Sequence, residues 1–211
     1  MATVNVGVFG GAFDPPHVGH VELARAAIDH FHLDRLLVRV VEDPGHKEVA
    51  TAPQIRRFLA ELAFGPFDEA EVSLDRFART VDSLEALALD DPVFLLGADE
   101  FADFRSWKNP GRVLELARLG VATRPGIDRG RLAAVLAALD RPGRVTFFEI
   151  EPLPVSSSDL RSRVAEGRSI DGLVPPSVRA EIERLGLYRR VDRPEGGGML
   201  RGDPIEGTTP T

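Results

Sequence analysis

Short apolar runs alternate along the chain with longer stretches in which apolar residues recur every three or four positions. The short runs predict strands at residues 4–9, 36–41, 93–96, 120–123 and 145–149, with a weaker sixth strand at 71–73. The longer stretches predict helices at residues 18–31, 53–63, 81–89, 111–117 and 131–139. This alternation is typical of a parallel sheet covered by helices on both faces. We therefore expect an α/β fold, a Rossmann-like doubly wound parallel sheet.

The pattern changes after residue 153. Two further helices are predicted at residues 157–166 and 175–185, with no strand between or after them. The segment from residue 191 to residue 211 contains three consecutive glycines and a polar ending rich in proline and threonine. Such a segment buries too little apolar surface to order itself. We expect one domain over residues 1–190, closed by C-terminal helices, and a disordered tail over residues 191–211.

Composition limits the classes of function. The chain has 211 residues, of which 43% are hydrophobic and 28% are charged, as in globular proteins. A net charge of −7 and the absence of a basic block argue against nucleic-acid binding. The absence of cysteine excludes disulfides and thiolate chemistry. No export signal or membrane span is recognisable, so we expect a cytoplasmic protein, and the sequence leaves its oligomeric state open, a homo-oligomer included.

The stretch VFGGAFDPPHVGH, residues 8–20, carries the strongest chemical signal. Gly10 and Gly11 end the first predicted strand, and His17 and His20 stand where the first helix begins. A helix start offers unpaired N–H groups to an anion, and side chains three positions apart share one face. The stretch therefore predicts a phosphate cradle. The alternative, a metal pair, needs further ligands, and the chain has only three other histidines, at positions 30, 32 and 46.

Further candidates follow the other predicted strands, because ligands bind at the carboxyl ends of the strands in such sheets. They are Lys47 after the second strand, Asp99 after the third major strand, Trp107 in the polar loop beyond it, Arg124 after the next strand, and Ser157, Ser158 and Arg161 at a later helix start. Each has an ordinary structural alternative as a turn residue, a helix cap, a core residue or a surface ion pair. Arg39 is unusual within an apolar strand, where an arginine needs a partner.

Residues 8–20 resemble the G-G-x-F-D-P-x-H-x-G-H signature of the nucleotidyltransferase superfamily, and residues 155–161 resemble its I-S-S-T-x-I-R motif. The tryptophan, the Arg-Pro-Gly at 124–126 and the Leu-Tyr-Arg at 187–189 are similar to bacterial nicotinate-nucleotide adenylyltransferases in particular. The resemblance covers residues 6–189. It implies the sheet type of that superfamily and adenylyl transfer from ATP to nicotinate mononucleotide in NAD biosynthesis, with Mg²⁺ carried by the ATP phosphates and no metal ligand from the protein.

The same resemblance implies roles for individual residues. Catalysis would fall to His17, His20 and Lys47. ATP would be bound by Gly10, Gly11, Phe13, Asp14, Asp99, Arg124, Ser157, Ser158 and Arg161. The pyridine nucleotide would be bound by Arg79, Thr80, Trp107 and Lys108.

The chain departs from the family pattern where the acceptor is recognised. Ala78, Arg79 and Thr80 stand where the family usually has Ser-Tyr-Thr, and Lys108 stands where an aromatic residue or histidine commonly follows the tryptophan. Arg79 or Lys108 could pair with a carboxylate of the acceptor. The departures leave two alternatives open: adenylyl or cytidylyl transfer to another phosphorylated acceptor, and a non-catalytic nucleotide-binding module.

Overall fold

The sheet of this protein has six strands, all parallel, in the order β3-β2-β1-β4-β5-β6. The computed structural model describes residues 4–45 and 49–190. Strands β1 to β6 are Val6–Gly11, Arg35–Val41, Ala70–Asp75, Val93–Gly97, Arg118–Thr123 and Val145–Glu149. The predicted α/β class and the doubly wound parallel sheet are confirmed, and the weak sixth strand is a full strand, β3, at one edge.

Eight α-helices accompany these strands in the described residues. Helices α1 to α8 are Val18–Phe31, Pro53–Phe64, Thr80–Leu87, Ala98–Ala102, Pro110–Leu116, Arg129–Ala137, Ser157–Ala165 and Pro176–Leu185. The chain also forms short 3₁₀ helices at Phe104–Ser106 and Pro142–Arg144. Helix α1 has the bounds that its periodicity predicts, whereas α4 and the 3₁₀ helices were not predicted because they are too short to show a period. Two helices follow β6, as expected.

Alternate residues along the strands supply two separate cores, one on each face of the sheet. On the first face, Phe9, Val38 and Leu95 pack against helices α1, α2, α7 and α8. On the second face, Val8 and Phe94 pack against helices α3 to α6. Because both faces are covered, the inner strands are apolar throughout, which explains why they appear in the sequence as continuous hydrophobic runs.

The strand order reverses between β1 and β4, which lie side by side at the centre of the sheet. The chain leaves this point toward β2 and β3 on one side and toward β5 and β6 on the other. The connecting loops therefore diverge at the carboxyl ends of β1 and β4, and a crevice opens there. None of the helices in the described part of the chain is long and apolar enough to cross a membrane. The disorder expected for residues 191–211 concerns residues outside the described ranges.

Candidate functional site

A cleft of about 1140 Å³ lies along the carboxyl ends of the strands. Its lining comes from the loops after β1, β3, β4 and β5 and from the start of α7. Every residue predicted to belong to the site, apart from Lys47, contributes to this lining. Lys47 and its neighbour His46 lie outside the described residues. Its volume lies just above the usual range for a small-molecule pocket, about 300–1000 Å³.

His17 and His20 form a stacked pair at the start of α1. Their ring centroids lie 3.6 Å apart with an interplanar angle of 22°. His17 is the N-cap residue of the helix, and its main-chain N–H donates to Nδ1 of His20 at 3.2 Å. Because Nδ1 of a neutral His20 ring accepts this hydrogen bond, the proton of the ring sits on Nε2. His20 therefore presents an N–H donor from its other nitrogen, and Phe13 packs edge-on against its ring at 5.1 Å.

The environment of His17 keeps its imidazole uncharged at neutral pH. Only 8% of the residue is exposed. Burial lowers the pKa of His17 from 6.5 to about 4, because a charged imidazolium loses its hydration in the interior. His17 is therefore a neutral hydrogen-bonding ring at the start of α1 and carries no positive charge there at neutral pH.

The start of α7 also borders the cleft. Ser156 caps the helix, since its hydroxyl oxygen accepts from the Asp159 N–H at 3.1 Å. The structure thus separates the three serines: Ser156 caps, Ser157 donates to the carbonyl oxygen of Pro15 at 2.9 Å, and Ser158 is exposed at the cleft. With the cap supplied by Ser156, the hydroxyl of Ser158 and the other helix N–H groups remain for a ligand.

The two helix starts are tied together by direct contacts. Arg161 of α7 donates from Nη1 to the carbonyl oxygen of Asp14 at 2.8 Å, next to the bond that Ser157 makes with Pro15. A Cβ placed on Gly19 of α1 would lie 3.4 Å from Cγ1 of Val155 and 3.1 Å from Nδ1 of His17. The histidine pair and the serine–arginine group therefore border one space, and a single polyphosphate can contact both.

The side chains of Phe13 and Asp14 are buried next to the start of α1. Both residues are buried, at 2% and 1% exposure. The Asp14 carboxylate accepts hydrogen bonds from the Ala50 N–H, from the Thr51 hydroxyl at 2.6 Å and from the Tyr188 hydroxyl at 2.7 Å. Burial, with the Asp14 charge as the next contribution, raises the pKa of Tyr188. An ATP contact of Phe13 or Asp14 would therefore come from the main chain.

Arg56 of α2 is a buried structural residue that the sequence did not reveal. Its side chain is fully buried and donates to the carbonyl oxygens of Ala12 and Val41 at 2.8 Å, of Glu42 at 2.7 Å and of Thr51 at 3.1 Å. It thereby joins the loops that follow β1 and β2. In the sequence it occupies an ordinary position of an amphipathic helix, where an arginine usually faces solvent.

Asp99 and Arg124 contact each other beyond the carboxyl ends of β4 and β5. Asp99 is the second residue of α4, directly after β4, and Arg124 directly follows β5. Because β4 and β5 are adjacent, the two side chains form an ion pair with Nη2 of Arg124 3.4 Å from Oδ2 of Asp99. Both side chains are exposed, so this pair adds little to stability and can rearrange around a ligand.

Trp107 lies in the loop before α5, and its neighbour Lys108 contacts Asp82 of α3. Its ring packs edge-on against Phe94, with centroids 6.1 Å apart, and against Phe104 at 5.3 Å. The indole is partly exposed to the cleft, where a flat aromatic ligand can stack on it. Lys108, predicted as a partner for a carboxylate, is already paired with Asp82 at 2.7 and 2.9 Å.

The start of α3 borders the same part of the cleft. Thr80 is the first residue of the helix, and Arg79 stands exposed at its N-cap position. The tryptophan, the threonine and the arginine therefore line the same cleft, and their binding of an aromatic acceptor stays a prediction. Within the described ranges, no group of three or more histidine, aspartate or glutamate residues is placed to hold a metal ion.

Comparison with known proteins agrees with this architecture. A family model described as cytidylyltransferase-like matches residues 8–163. A relative from Rubrobacter xylanophilus is 36% identical over 210 residues, which cover 94% of this chain and 98% of the relative. A relative from Thermomicrobium roseum is 38% identical, covering 89% of this chain and 92% of the relative. Both are named probable nicotinate-nucleotide adenylyltransferases.

Solved structures share the fold. The nicotinic acid mononucleotide adenylyltransferase of Plasmodium falciparum, complexed with NaAD, superposes with a TM-score of 0.72 at 18% identity, covering 88% of this chain and 98% of that chain. The same enzyme complexed with APC gives a TM-score of 0.69 at 17% identity over the same shares of the two chains. At these identities the likeness establishes the arrangement of strands and helices.

Proposed function

The chain belongs to the cytidylyltransferase-like family and, within it, to the nicotinate-nucleotide adenylyltransferases, and from this premise we propose that it adenylates nicotinate mononucleotide. In this reaction a 5′-phosphate oxygen of nicotinate mononucleotide attacks the α-phosphorus of ATP. The bond from the α-phosphorus to the oxygen that bridges the α- and β-phosphates breaks. The products are the deamido dinucleotide and pyrophosphate, a step of NAD biosynthesis.

The observation that carries this proposal is the junction of the two helix starts. Arg161 and Ser157 are hydrogen-bonded to the main chain of Asp14 and Pro15, immediately before the histidine pair. A triphosphate laid across this junction has its α-phosphate at the start of α1 and its β- and γ-phosphates at the start of α7. The reacting phosphorus and the leaving group are therefore held by separate groups, which adenylyl transfer requires and simple nucleotide binding does not.

His17 and His20 act on the α-phosphate. The N–H on Nε2 of His20 donates to a non-bridging oxygen, and the buried ring of His17 is held against it by stacking. Negative charge builds on these oxygens during transfer, so a donor fixed in advance stabilises the transition state more than the ground state. Protein side chains do little covalent work in such transfers, because positioning and charge neutralisation supply most of the rate.

Ser158 and Arg161 stabilise the leaving pyrophosphate. The α7 start contributes N–H groups and the positive end of the helix dipole, and the guanidinium adds a full charge next to it. Ser157 holds the two helix starts in register through Pro15. The sequence resemblance assigns the attacking phosphate to Lys47, and this role stays a prediction because Lys47 lies outside the described residues.

Magnesium enters this site as part of the substrate. The described residues provide no cluster suited to a resident metal, and the carboxylate of Asp14 is already engaged by three donors. Mg²⁺ binds ATP phosphates and retains much of its water, so it does not need a set of protein carboxylates. When bound to ATP, it neutralises charge on the phosphate oxygens.

The two nucleosides lie on either side of the cradle. We assign Asp99 and Arg124, which follow β4 and β5, to the adenosine side, and Gly10 and Gly11, at the end of β1, to the middle of the cleft. An acid at the carboxyl end of a strand can accept hydrogen bonds from ribose hydroxyls. Trp107 and Thr80 border the pyridine side, where the indole stacks on the ring. The cytoplasmic location and the oligomeric state expected from the sequence stay predictions.

Pyrophosphate release tests the reaction directly. Purified protein with MgATP and nicotinate mononucleotide should release one pyrophosphate for each dinucleotide formed. A panel that replaces ATP with CTP, and the acceptor with pantetheine phosphate or nicotinamide mononucleotide, measures specificity. Preference for CTP or for pantetheine phosphate would replace this proposal, and nucleotide binding without pyrophosphate release would make the protein a non-catalytic module.

A further inference from the structure

Arg39 faces the acceptor side of the cleft from within the sheet. It lies on β2 between Gly10 of β1 and Ser73 of β3 in the strand register. Its side chain lies on the second face of the sheet and lines the cleft with 18% of its surface exposed. Neighbouring strands are about 4.8 Å apart, so the main chain of Arg39 lies about that far from Gly10 of β1.

The guanidinium of Arg39 is held in one orientation by β3. Nη1 donates to the Ser73 hydroxyl at 2.8 Å, and Nη2 lies 3.6 Å from Oδ1 of Asp75. Asp75 is itself fixed, because its carboxylate accepts from the Phe77 N–H at 3.0 Å and from the Ser83 hydroxyl of α3. The arginine is thus connected through Asp75 to the helix that begins with Thr80.

This arrangement leaves donors of Arg39 unused, and both Arg39 and its counter-ion Asp75 belong to the wall of the cleft. A guanidinium has five N–H donors; the hydrogen bond to Ser73 uses one of them, and the contact with Asp75 at 3.6 Å is an ion pair longer than a hydrogen bond. Nε of Arg39 is buried, and no other group in residues 4–45 or 49–190 accepts from it. The Arg39 side chain is 18% exposed and that of Asp75 is 3% exposed, so the arginine presents the larger surface to the cleft.

Arg39 and Trp107 border one floor. The floor is made by Gly10, which has no side chain, and by the ring of Phe94, whose Cε2 and Cζ would lie 3.7 Å from a Cβ on Gly10. The Trp107 ring stands edge-on to Phe94 on one side, and Arg39 occupies the neighbouring strand on the other. A flat ring stacked against the tryptophan over this floor therefore has Arg39 as the cation on the neighbouring strand.

We propose that Arg39 is a specificity-determining residue that binds the carboxylate on the ring of an acidic aromatic nucleotide acceptor. This rests on the proposed function and names the group that selects the acid over its amide. A guanidinium pairs with a carboxylate through two parallel hydrogen bonds, and it has no such pairing with a neutral amide.

Two other cations near this side are less suited to the task. Lys108 is committed to Asp82 through two short contacts. Arg79 is exposed at the N-cap position of α3, where holding a flexible side chain in one geometry costs entropy. Arg39 is already oriented by Ser73 and Asp75, so it loses less freedom on binding.

The test compares two acceptors on one variant. Arg39→Gln removes the charge and keeps much of the length. It should lower kcat/KM for nicotinate mononucleotide by about 10- to 100-fold, as expected for loss of a charge-assisted hydrogen bond. For nicotinamide mononucleotide the change should stay within about threefold, because the amide makes no ion pair. Titration calorimetry of nicotinate mononucleotide should show the same loss in affinity.

Arg35→Gln is the matched control. Arg35 lies on the same strand and face, pairs with Glu71 of β3 at 2.8 Å, and does not line the cleft. Its substitution should leave the preference between the two acceptors unchanged. If Arg39→Gln folds poorly, Ser73→Ala removes only the hydroxyl that orients the guanidinium, and it should raise KM for the acid severalfold without raising it for the amide.

Two results would overturn the inference. The first is an unchanged preference for the acid in the Arg39→Gln or Ser73→Ala protein. The second is an equal loss with both acceptors, which would place Arg39 at the shared phosphate or in the fold. Failure of the proposed function is distinguishable, because the unsubstituted protein would then form no dinucleotide from ATP and nicotinate mononucleotide.

Discussion

Nη1 of Arg161 donates a hydrogen bond to the main-chain carbonyl oxygen of Asp14 at 2.8 Å, although the two residues are 147 positions apart in the chain. This contact joins the start of α7 to the loop that leads into α1. The guanidinium charge is therefore held at the junction of two helix starts, each of which already favours an anion. The position suits a group that stabilises the leaving pyrophosphate while its other donors fix the loop.

Arg161→Gln should therefore impair catalysis more than folding. We expect kcat/KM for ATP to fall by about 10- to 100-fold, since the leaving group loses a charge-assisted hydrogen bond. Steady-state pyrophosphate release measures the loss. Arg163→Gln is the control, because Arg163 lies two positions further along the helix, pairs with Asp159 at 2.7 Å and does not line the cleft. Equal losses in both variants would remove Arg161 from the mechanism.

His20→Ala should reduce turnover and leave the fold nearly intact. His20 is partly exposed at the cleft, and its Nε2 N–H is aimed at the α-phosphate in the proposed complex. Loss of one fixed donor to a developing negative charge costs about 10²- to 10³-fold in kcat. Single-turnover measurements with bound ATP separate this effect from binding.

A control for His20→Ala is available at the opposite end of the same helix. His32→Asn changes the C-cap histidine of α1, where the left-handed backbone suits asparagine, and should leave kcat unchanged. Wild-type turnover in well-folded His20→Ala protein would show that the proposed role of the ring is wrong.

The buried, neutral His17 makes stability depend on pH in a defined window. Its pKa is about 4 in the folded protein and near 6.5 when unfolded. Between these values the unfolded chain binds more protons, so stability decreases as the pH is lowered. From pH 7 to pH 5 this residue alone should cost about 2 kcal/mol of the free energy of unfolding.

Urea unfolding of wild-type and His17→Gln protein at both pH values isolates that contribution, because glutamine does not titrate. The wild-type protein should lose about 2 kcal/mol more than the variant between pH 7 and pH 5. Parallel losses in the two proteins would mean that His17 is not held neutral by burial.

Tyr188→Phe should destabilise the protein through the Asp14 carboxylate. The Tyr188 hydroxyl donates to Oδ1 of Asp14 at 2.7 Å, and Thr51 donates to the same oxygen at 2.6 Å. Removal of one hydrogen bond to a charged group costs about 1.5–3 kcal/mol, and the remaining donors keep the carboxylate partly satisfied. Urea unfolding measures the loss, and Tyr188 lies outside the cleft lining, so kcat should change little.

A double-mutant cycle with Thr51→Val checks the shared acceptor. Because both hydroxyls serve one carboxylate oxygen, the two substitutions should be non-additive by about 0.5 kcal/mol or more. Strict additivity would show that the two side chains stabilise the protein independently of Asp14.

Local pattern was enough to predict most of the elements. Helix α1 has the predicted bounds, and β6 has the predicted bounds as well. The i, i+3 spacing of His17 and His20 placed both rings on one turn, which the 3.6 Å stacking distance confirms. Strands such as β1 and β2 differ from prediction by one or two residues at their ends, because the ends depend on pairing with neighbours.

The roles of particular polar side chains could not be predicted in the same way. Arg39 was noticeable as a charge in an apolar strand, yet Ser73 and Asp75 became its partners only through the β2–β3 register. Asp14 was expected to contact ATP. In the structure its carboxylate accepts hydrogen bonds from residues of two distant segments of the chain. Nothing in the sequence indicated that Arg56 would be buried, because its acceptors are main-chain carbonyl groups, which every residue has.

The amino-acid sequence by itself determined the alternation of strands and helices, the positions of the two helix starts and the residue types available at the strand ends. These features depend on side-chain periodicity and on chemistry within a few positions. Only the tertiary structure decided that the two helix starts meet, that Asp99 pairs with Arg124 and that Arg39 faces the cleft. Those outcomes depend on strand order and register, which are set by long-range packing across the whole sheet.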